Sequence, residues 1–158
     1  TSRRFYPNIV STHSYEDRIT TLRNVREAGI QLCSGGIFNL GETWQDRIDM
    51  AIALRELNVD MVPLNFLSPI SGTPLADRPA MPPMEILKVV AIYRLMLPRT
   101  PIKLAGGREA NLRDLQSWMF YCGATSCMAG NYLTTCGRPA DMDRQLVADL
   151  GLALQAEA

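Results

Sequence analysis

The fold is decided by Gln31-Leu32-Cys33-Ser34-Gly35-Gly36-Ile37, a short apolar run that ends in small residues and carries one thiol, Cys33. A similar stretch, Leu104-Ala105-Gly106-Gly107-Arg108-Glu109, ends in a guanidinium, Arg108. Short apolar runs bounded by glycine are typical of buried strands. A chemically capable side chain where such a run stops indicates a site at the strand ends.

Two further apolar runs have the same design. Val62 to Phe66 carries Asn65 near its end, and Met128 to Tyr132 contains Gly130-Asn131. The carboxyl ends of parallel strands lie together at one edge of a sheet. We therefore expect Cys33, Asn65, Arg108 and Asn131 to surround a shared site.

Helical patterns separate these runs. Ser14 and Thr43 each precede a helical pattern as N-caps, with Asp17 and Asp46 three residues later in capping boxes. The predicted strands are 30–33, 59–66, 102–105 and 125–129, with Ser34-Gly35-Gly36 as a turn after the first. The predicted helices begin at Ser14, Thr43, Pro83, Leu112 and about Asp141.

Alternating strands and helices require parallel pairing with right-handed crossovers. The predicted fold class is therefore α/β, the C-terminal half of a (β/α)8 barrel of TIM type with about four strand–helix units. An open doubly wound sheet is the alternative. A helix before the first strand normally follows another strand, so we expect residues 1–158 to be one region of a larger barrel.

Composition excludes several classes of protein. Hydrophobic residues make up 47% and charged residues 20% of the 158 residues, and the net charge is zero. A neutral chain has no electrostatic footprint for nucleic acid or an anionic membrane. No apolar run approaches the ~20 residues that span a bilayer, and Thr1 to Phe5 do not resemble a signal peptide. We expect a cytoplasmic protein with reduced thiols.

The four cysteines differ in their predicted settings. None forms a C-x-x-C pair, so a structural zinc site is not expected. Cys122 at a helix end and Cys127 in a strand are expected to be structural, and Cys136 in a loop is left open. Cys33 is the candidate metal ligand or nucleophile, and His13, the single histidine, is the one imidazole base for it.

The other candidate residues each have a structural alternative. Gly35 and Gly36 permit close approach either of a ligand or of another part of the fold. Asn65 offers a donor and an acceptor to a urea-like group, or satisfies local backbone. Arg108 pairs with Glu109, or faces an anion or a cluster.

Taken together, these motifs resemble the biotin synthase family over nearly the whole chain, and the Cys-Ser-Gly-Gly-Ile block is the most specific of them. The matching motifs are Tyr15-Glu16-Asp17-Arg18, Ala28-Gly29-Ile30, Cys33-Ser34-Gly35-Gly36-Ile37, Gly41-Glu42-Thr43, Gly72-Thr73-Pro74-Leu75, Gly107-Arg108-Glu109, Gly130-Asn131-Tyr132-Leu133-Thr134-Thr135 and Asp149-Leu150-Gly151-Leu152.

The resemblance implies a radical S-adenosylmethionine enzyme with a (β/α)8 barrel, usually homodimeric, that inserts sulfur into dethiobiotin to give biotin. In that family a [4Fe–4S] cluster cleaves S-adenosylmethionine to a radical that abstracts substrate hydrogens. A [2Fe–2S] cluster inside the barrel is thought to supply the sulfur.

The resemblance also implies roles for individual residues. Cys33 is a thiolate ligand of the [2Fe–2S] cluster, and Arg108 is its unusual nitrogen ligand. Arg18 meets the carboxylate of S-adenosylmethionine, and Ile37 with the backbone near Ser68 lines the adenine. Substrate contacts fall on Asn65 for the ureido ring and on Thr134 and Thr135 for the tail.

The chain lacks several parts of the family pattern, among them the early strands of the barrel. The C-x-x-x-C-x-x-C motif that holds the [4Fe–4S] cluster and the remaining thiolates of the [2Fe–2S] cluster are absent from the sequence. We therefore expect the chain to be inactive alone and to need the missing N-terminal half of the barrel. A related radical enzyme with another substrate is one alternative, against which the Cys33–Arg108 pair argues, and a non-catalytic half-barrel binding module is another.

Overall fold

A computed structural model of the chain describes residues 1–132 and 136–154. The strands are β1 (Gly36–Phe38), β2 (Val62–Phe66), β3 (Ile102–Leu104) and β4 (Ser126–Cys127). The helices are α1 (Tyr15–Glu27), α2 (Trp44–Glu56), α3 (Pro83–Met96), α4 (Arg108–Leu112), α5 (Trp118–Tyr121) and α6 (Ala140–Asp149), with 3₁₀ turns at Tyr6–Asn8 and Arg113–Leu115. The predicted α/β class is confirmed.

The four strands form one parallel sheet in the order β1-β2-β3-β4. A doubly wound sheet reverses its strand order part-way, whereas a barrel keeps its strands in sequential order. The sequential order is therefore that of an arc of a barrel, and the open doubly wound alternative is wrong.

The first strand begins later than predicted. Cys33 forms an isolated parallel bridge with Met61, and the ladder resumes only at Gly36. The N–H groups of Met61 and Leu67 donate to the carbonyls of Leu32 and Phe38 on the neighbouring segment. Every second residue of this segment donates to the neighbouring one, so the N–H of residue 63 would donate to the carbonyl of residue 34. Pro63 has no N–H, and this hydrogen bond is not formed. The predicted turn at residues 34–36 is therefore an interrupted part of the strand.

The region predicted as one helix over residues 112–121 is divided. Helix α4 begins already at Arg108, and a 3₁₀ turn separates it from α5. Arg113 has a φ of 52°, in the left-handed region that side chains disfavour, and this interrupts the helix. Within residues 1–132 and 136–154, no helix is both long and apolar enough to span a bilayer.

The core lies between the sheet and helices α2 and α3. It is formed by aliphatic and aromatic side chains that are at most 7% exposed, and the buried hydroxyl of Tyr93 donates to the carbonyl of Arg47. The fully buried strand members are Phe38, Val62, Leu64, Ile102 and Leu104. They alternate with residues that face the other side of the sheet, and that other side carries the candidate site.

Candidate functional site

Two predicted site residues lie side by side on the less covered face of the sheet. Along β2, buried and half-buried residues alternate, and Asn65 is one of the half-buried ones. On β1, Phe38 is buried whereas Ile37 is 45% exposed. The parallel register places Ile37 opposite Asn65. The structure therefore brings together the residue predicted to line an adenine and the residue predicted to contact a ureido ring.

Cys33 lies on the same segment as Ile37 but at a different position along the strand direction. Leu32 is buried and Cys33 is exposed, so the alternation puts the thiol on the same side as Ile37. The prediction that Cys33 lies at the carboxyl end of a strand is wrong, because its bridge to Met61 precedes β1 and β2. The thiol is therefore nearer the amino-terminal edge of this face than Asn65 is.

Two polar residues of this face, Lys103 and Ser126, were not predicted from the sequence. Lys103, in the middle of β3, pairs with Pro63 on one side and with Ser126 on the other. The Ser126 hydroxyl is buried, and no residue within the described ranges forms a hydrogen bond with it. The position of Lys103 could have been predicted from the sequence, because a lysine between two apolar strand residues lies on the face of the sheet opposite the core.

The Asn65 side chain connects β1 to the loop after β3. Its Oδ1 accepts a hydrogen bond from the Gly106 N–H at 2.8 Å, and its Nδ2 donates to the Gly36 carbonyl at 3.3 Å. A carboxamide has two N–H donors and two acceptor lone pairs. These contacts use one of each, so the side chain is held in place and still offers one donor and one acceptor.

The Gly106-Gly107 turn sets the position of Arg108. Gly107 has a φ of 76°, and a Cβ built on it would lie 1.8 Å from the Phe66 carbonyl oxygen. Only glycine combines this conformation with so close an approach of two backbones. The turn is thus pressed against the end of β2, and Arg108 starts α4 directly after it.

The Arg108 guanidinium is fully buried in a polar cluster of its own. Its Nη2 donates to Asp143 Oδ2 at 2.9 Å and to the Met128 carbonyl at 3.2 Å, and its Nη1 donates to Gln116 Oε1 at 2.6 Å. The Glu109 carboxylate lies farther away, at 3.6 Å. The Arg108–Glu109 pair expected as the structural alternative is therefore secondary to the pair that Arg108 forms with Asp143.

The electrostatics of this cluster favour the charged form of Arg108. Burial alone would lower the pKa of Arg108, but the hydrogen bond to Asp143 and the nearby negative charge raise it above its ordinary value. In the chain as described, Arg108 is a cation paired with a carboxylate. To bind a metal, one nitrogen of the guanidinium must first lose a proton, which frees a lone pair for the metal.

Arg18 and Ile37 line one cavity of about 340 Å³, together with His13, Ser34 and Gly36 among others. Ser68 is exposed in the loop after β2. A larger groove of about 970 Å³ between α1 and α2 contains none of the predicted site residues. The predicted substrate contacts Thr134 and Thr135 lie outside the described residues.

A Cys33–His13 catalytic pair is not formed. The His13 Nε2 is 2.8 Å from the Tyr6 hydroxyl, and its Nδ1 is 2.9 Å from the Thr12 hydroxyl. Both ring nitrogens are thus engaged by neighbours along the chain, and the reading of Cys33 as a histidine-activated nucleophile is wrong for this structure.

The other thiols differ in accessibility. Cys122 and Cys127 are half-buried, and burial raises the pKa of both, which is typical of thiols that serve as small apolar side chains. Cys136 is exposed, and all four cysteines are free.

The described residues do not form a complete metal site. Within the described ranges, no group of three or more His, Cys, Asp or Glu side chains is placed to hold a metal ion. Thiolate is the usual protein ligand of iron–sulfur clusters, and the accessible Cys33 offers one. These residues therefore fit a cluster only if further ligands come from another part of the protein.

Comparison with known proteins identifies the family. Residues 63–153 match the Biotin and Thiamin Synthesis associated domain. The chain is 56% identical over 155 residues to the biotin synthase of Geobacter sulfurreducens and 57% identical over 151 residues to that of Heliobacterium modesticaldum. These alignments cover 98% and 96% of this chain but 47% and 46% of the relatives. The chain thus spans about half the length of the curated relatives that it matches.

The fold also matches a solved structure. The crystal structure of methylornithine synthase superposes with a TM-score of 0.70 at 20% sequence identity, covering 92% of this chain and 47% of the other. At this identity the likeness concerns the fold, and it agrees with a half-barrel. The chain therefore belongs to the Biotin and Thiamin Synthesis associated domain family, and its resemblance to the C-terminal part of biotin synthases is confirmed.

Proposed function

We propose that the chain is the C-terminal half of a biotin synthase, a radical S-adenosylmethionine enzyme that inserts sulfur into dethiobiotin. The observation that carries the proposal is the identity of 56% to a biotin synthase over 98% of this chain. The other half of the barrel supplies the remaining strands and cluster ligands, and the complete enzyme is a cytoplasmic homodimer. The chemistry that its [4Fe–4S] cluster, S-adenosylmethionine and [2Fe–2S] cluster supply when bound is hydrogen abstraction and sulfur donation.

Cys33 and Arg108 are this chain's proposed ligands of the [2Fe–2S] cluster. The Cys33 thiol is exposed on the less covered face of the sheet, where a thiolate meets ligands from the opposite side of a closed barrel. Arg108 is held in a buried polar cluster at the start of α4. The half that completes the barrel contributes the other thiolates.

Arg18 and Ile37 are the proposed contacts to S-adenosylmethionine. They line the same cavity, which combines a cationic side chain with an apolar wall. A guanidinium pairs well with a carboxylate, and an aliphatic side chain packs against an adenine ring. The backbone near Ser68 completes the adenine contact.

Asn65 is the proposed contact to the ureido ring of dethiobiotin. Its two backbone hydrogen bonds fix the orientation of the amide, and one N–H and one lone pair remain free. A urea presents the complementary acceptor and donor. Thr134 and Thr135 remain the proposed contacts to the substrate tail.

The proposal is tested by rebuilding the barrel. The chain is mixed with the N-terminal half of one of its biotin synthase relatives, and iron and sulfide are added without oxygen. Visible absorption reports the clusters, and an assay reports biotin. We expect cluster absorption and biotin in the mixture but no biotin from the chain alone.

Cys33→Ala and Cys136→Ala form a matched pair of variants, because both thiols are exposed. We expect Cys33→Ala to lose the [2Fe–2S] absorption and biotin formation, and Cys136→Ala to retain both. A well-folded mixture that takes up no iron and forms no biotin would instead favour a non-catalytic half-barrel module.

A further inference from the structure

Asp143, on helix α6, is a residue to which the sequence motifs assign no role. Its carboxylate is buried, with 7% of the side chain exposed, and its nearest partner is the fully buried Arg108. The two residues are 35 positions apart in the sequence. Their pairing is therefore a product of the tertiary fold.

The carboxylate of Asp143 contacts both terminal nitrogens of Arg108. Its Oδ1 accepts from Nη1 at 3.1 Å and from Nη2 at 3.1 Å, and its Oδ2 accepts from Nη2 at 2.9 Å. A carboxylate that engages two guanidinium nitrogens fixes the plane of the group as well as its position. Asp143 thus restrains the rotation of Arg108.

The remaining contacts of Arg108 are single ones. Gln116 accepts from Nη1 alone, and the Met128 carbonyl accepts from Nη2 alone. Either contact can be exchanged for another ligand while Asp143 still holds the group through the other nitrogen. Asp143 is therefore the contact that keeps the guanidinium in place when one of its nitrogens changes partner.

We propose that Asp143 is a positioning residue that orients Arg108 as a ligand of the [2Fe–2S] cluster, an inference that rests on the proposed function. Partners of metal ligands restrict the orientation of those ligands and tune the metal. Asp143 holds Arg108 from the side of α6, so this helix would act on the cluster through Arg108.

The test uses the complete barrel, loaded with its clusters. Asp143→Asn removes the charge at nearly constant volume, and Asp143→Glu keeps the charge but displaces the carboxylate. Asp141→Asn is the matched control, because Asp141 lies on the same helix and is 90% exposed. Arg108→Ala serves as the reference for loss of the ligand itself.

We expect Asp143→Asn to weaken retention of the [2Fe–2S] cluster against a chelator by about 10-fold or more. Its visible and electron paramagnetic resonance spectra should shift in the same direction as those of Arg108→Ala, and Asp143→Glu should restore part of the difference. Asp141→Asn should match the wild type. Circular dichroism and melting temperature identify any variant that fails to fold. If Asp143→Asn fails to fold, the proposal is judged on Asp143→Glu, whose spectrum is expected to differ from that of the wild type.

The outcomes separate the two proposals. A changed spectrum in Arg108→Ala with wild-type spectrum and retention in the Asp143 variants overturns the positioning role alone. A wild-type barrel that binds no [2Fe–2S] cluster, or an Arg108→Ala variant with an unchanged spectrum, overturns the proposed ligand role of Arg108 and the Asp143 proposal with it.

Discussion

Gly35 is fixed by the neighbouring strand. A Cβ built on Gly35 would lie 2.0 Å from the Pro63 carbonyl oxygen, which is backbone and has little freedom to move. A Cβ on Gly36 would instead meet the flexible end of the Met50 side chain, at 2.5 Å. The sequence is compatible with either a ligand or a close packing contact at these glycines, and the structure favours packing for Gly35.

We expect Gly35→Ala to lower the free energy of unfolding by about 1–3 kcal/mol, because the added methyl group forces the two strand segments apart. Urea unfolding at one fixed protein concentration measures the change. Ser34→Ala is the neighbouring control, since the Ser34 contact to Met61 uses its backbone N–H. Equal unfolding midpoints for the wild type and Gly35→Ala would show that the strands relax without cost.

Asp46 shows how a buried charge is accommodated at the start of α2. Burial alone would raise the pKa of Asp46, but hydrogen bonds from Ser2, Thr43 and Arg4 hold it below its ordinary value. The carboxylate stays ionised, and the stability that it contributes is lost progressively as the pH falls from the unfolded-state pKa to the lowered folded-state pKa.

At the scale of elements, helices α1 and α2 begin at complete capping boxes. In α2, the Thr43 hydroxyl accepts a hydrogen bond from the Asp46 N–H, and the Asp46 carboxylate accepts one from the Thr43 N–H at 2.8 Å. Two N–H groups that lack partners within the helix are thereby satisfied. The two helices differ in burial: α2 buries five residues, whereas no residue of α1 is fully buried.

Thr43→Ala is expected to reduce the stability of the chain by about 0.5–2 kcal/mol, the usual effect of losing an N-cap side chain. The fall in melting temperature or urea midpoint measures it. Thr20→Ala provides the comparison, because Thr20 is an exposed residue within α1 and alanine favours helix there. A Thr43→Ala variant as stable as Thr20→Ala would mean that the cap contributes nothing measurable.

At the scale of the whole molecule, the sheet has two open edges. In the part of the chain that the structure describes, β1 and β4 stand at the ends of the strand order and each pairs on one side only. Unpaired strand edges are templates for pairing with another chain, and a closed barrel removes them. The shape of the sheet thus favours a partner that continues it on both sides.

We expect the isolated chain to self-associate, because its strand edges pair between copies when no N-terminal half is present. Light scattering after size-exclusion chromatography gives the mass in solution over a series of concentrations. Adding the N-terminal half should replace the larger species with a defined complex. A monomer that melts cooperatively across the whole concentration range would contradict this expectation.

Several features were correctly predicted because they depend on neighbours in the sequence. The capping boxes at Ser14 and Thr43 involve residues three positions apart, and both helices begin where the pattern placed them. The order of strands and helices follows from hydrophobic periodicity. The start of β1 was predicted wrongly because it depends on Pro63, which lies on another strand and lacks the hydrogen-bond donor.

The sequence by itself determined the order of elements, the parallel class of sheet and the family, since periodicity, caps and motifs are properties of short segments. Only the tertiary structure decided that Cys33, Ile37 and Asn65 share one face of the sheet, and that Arg108 pairs with Asp143 instead of its neighbour Glu109. The physical reason is distance along the chain. Strand register and a buried ion pair join residues tens of positions apart, and their free energy depends on burial that only the folded chain provides.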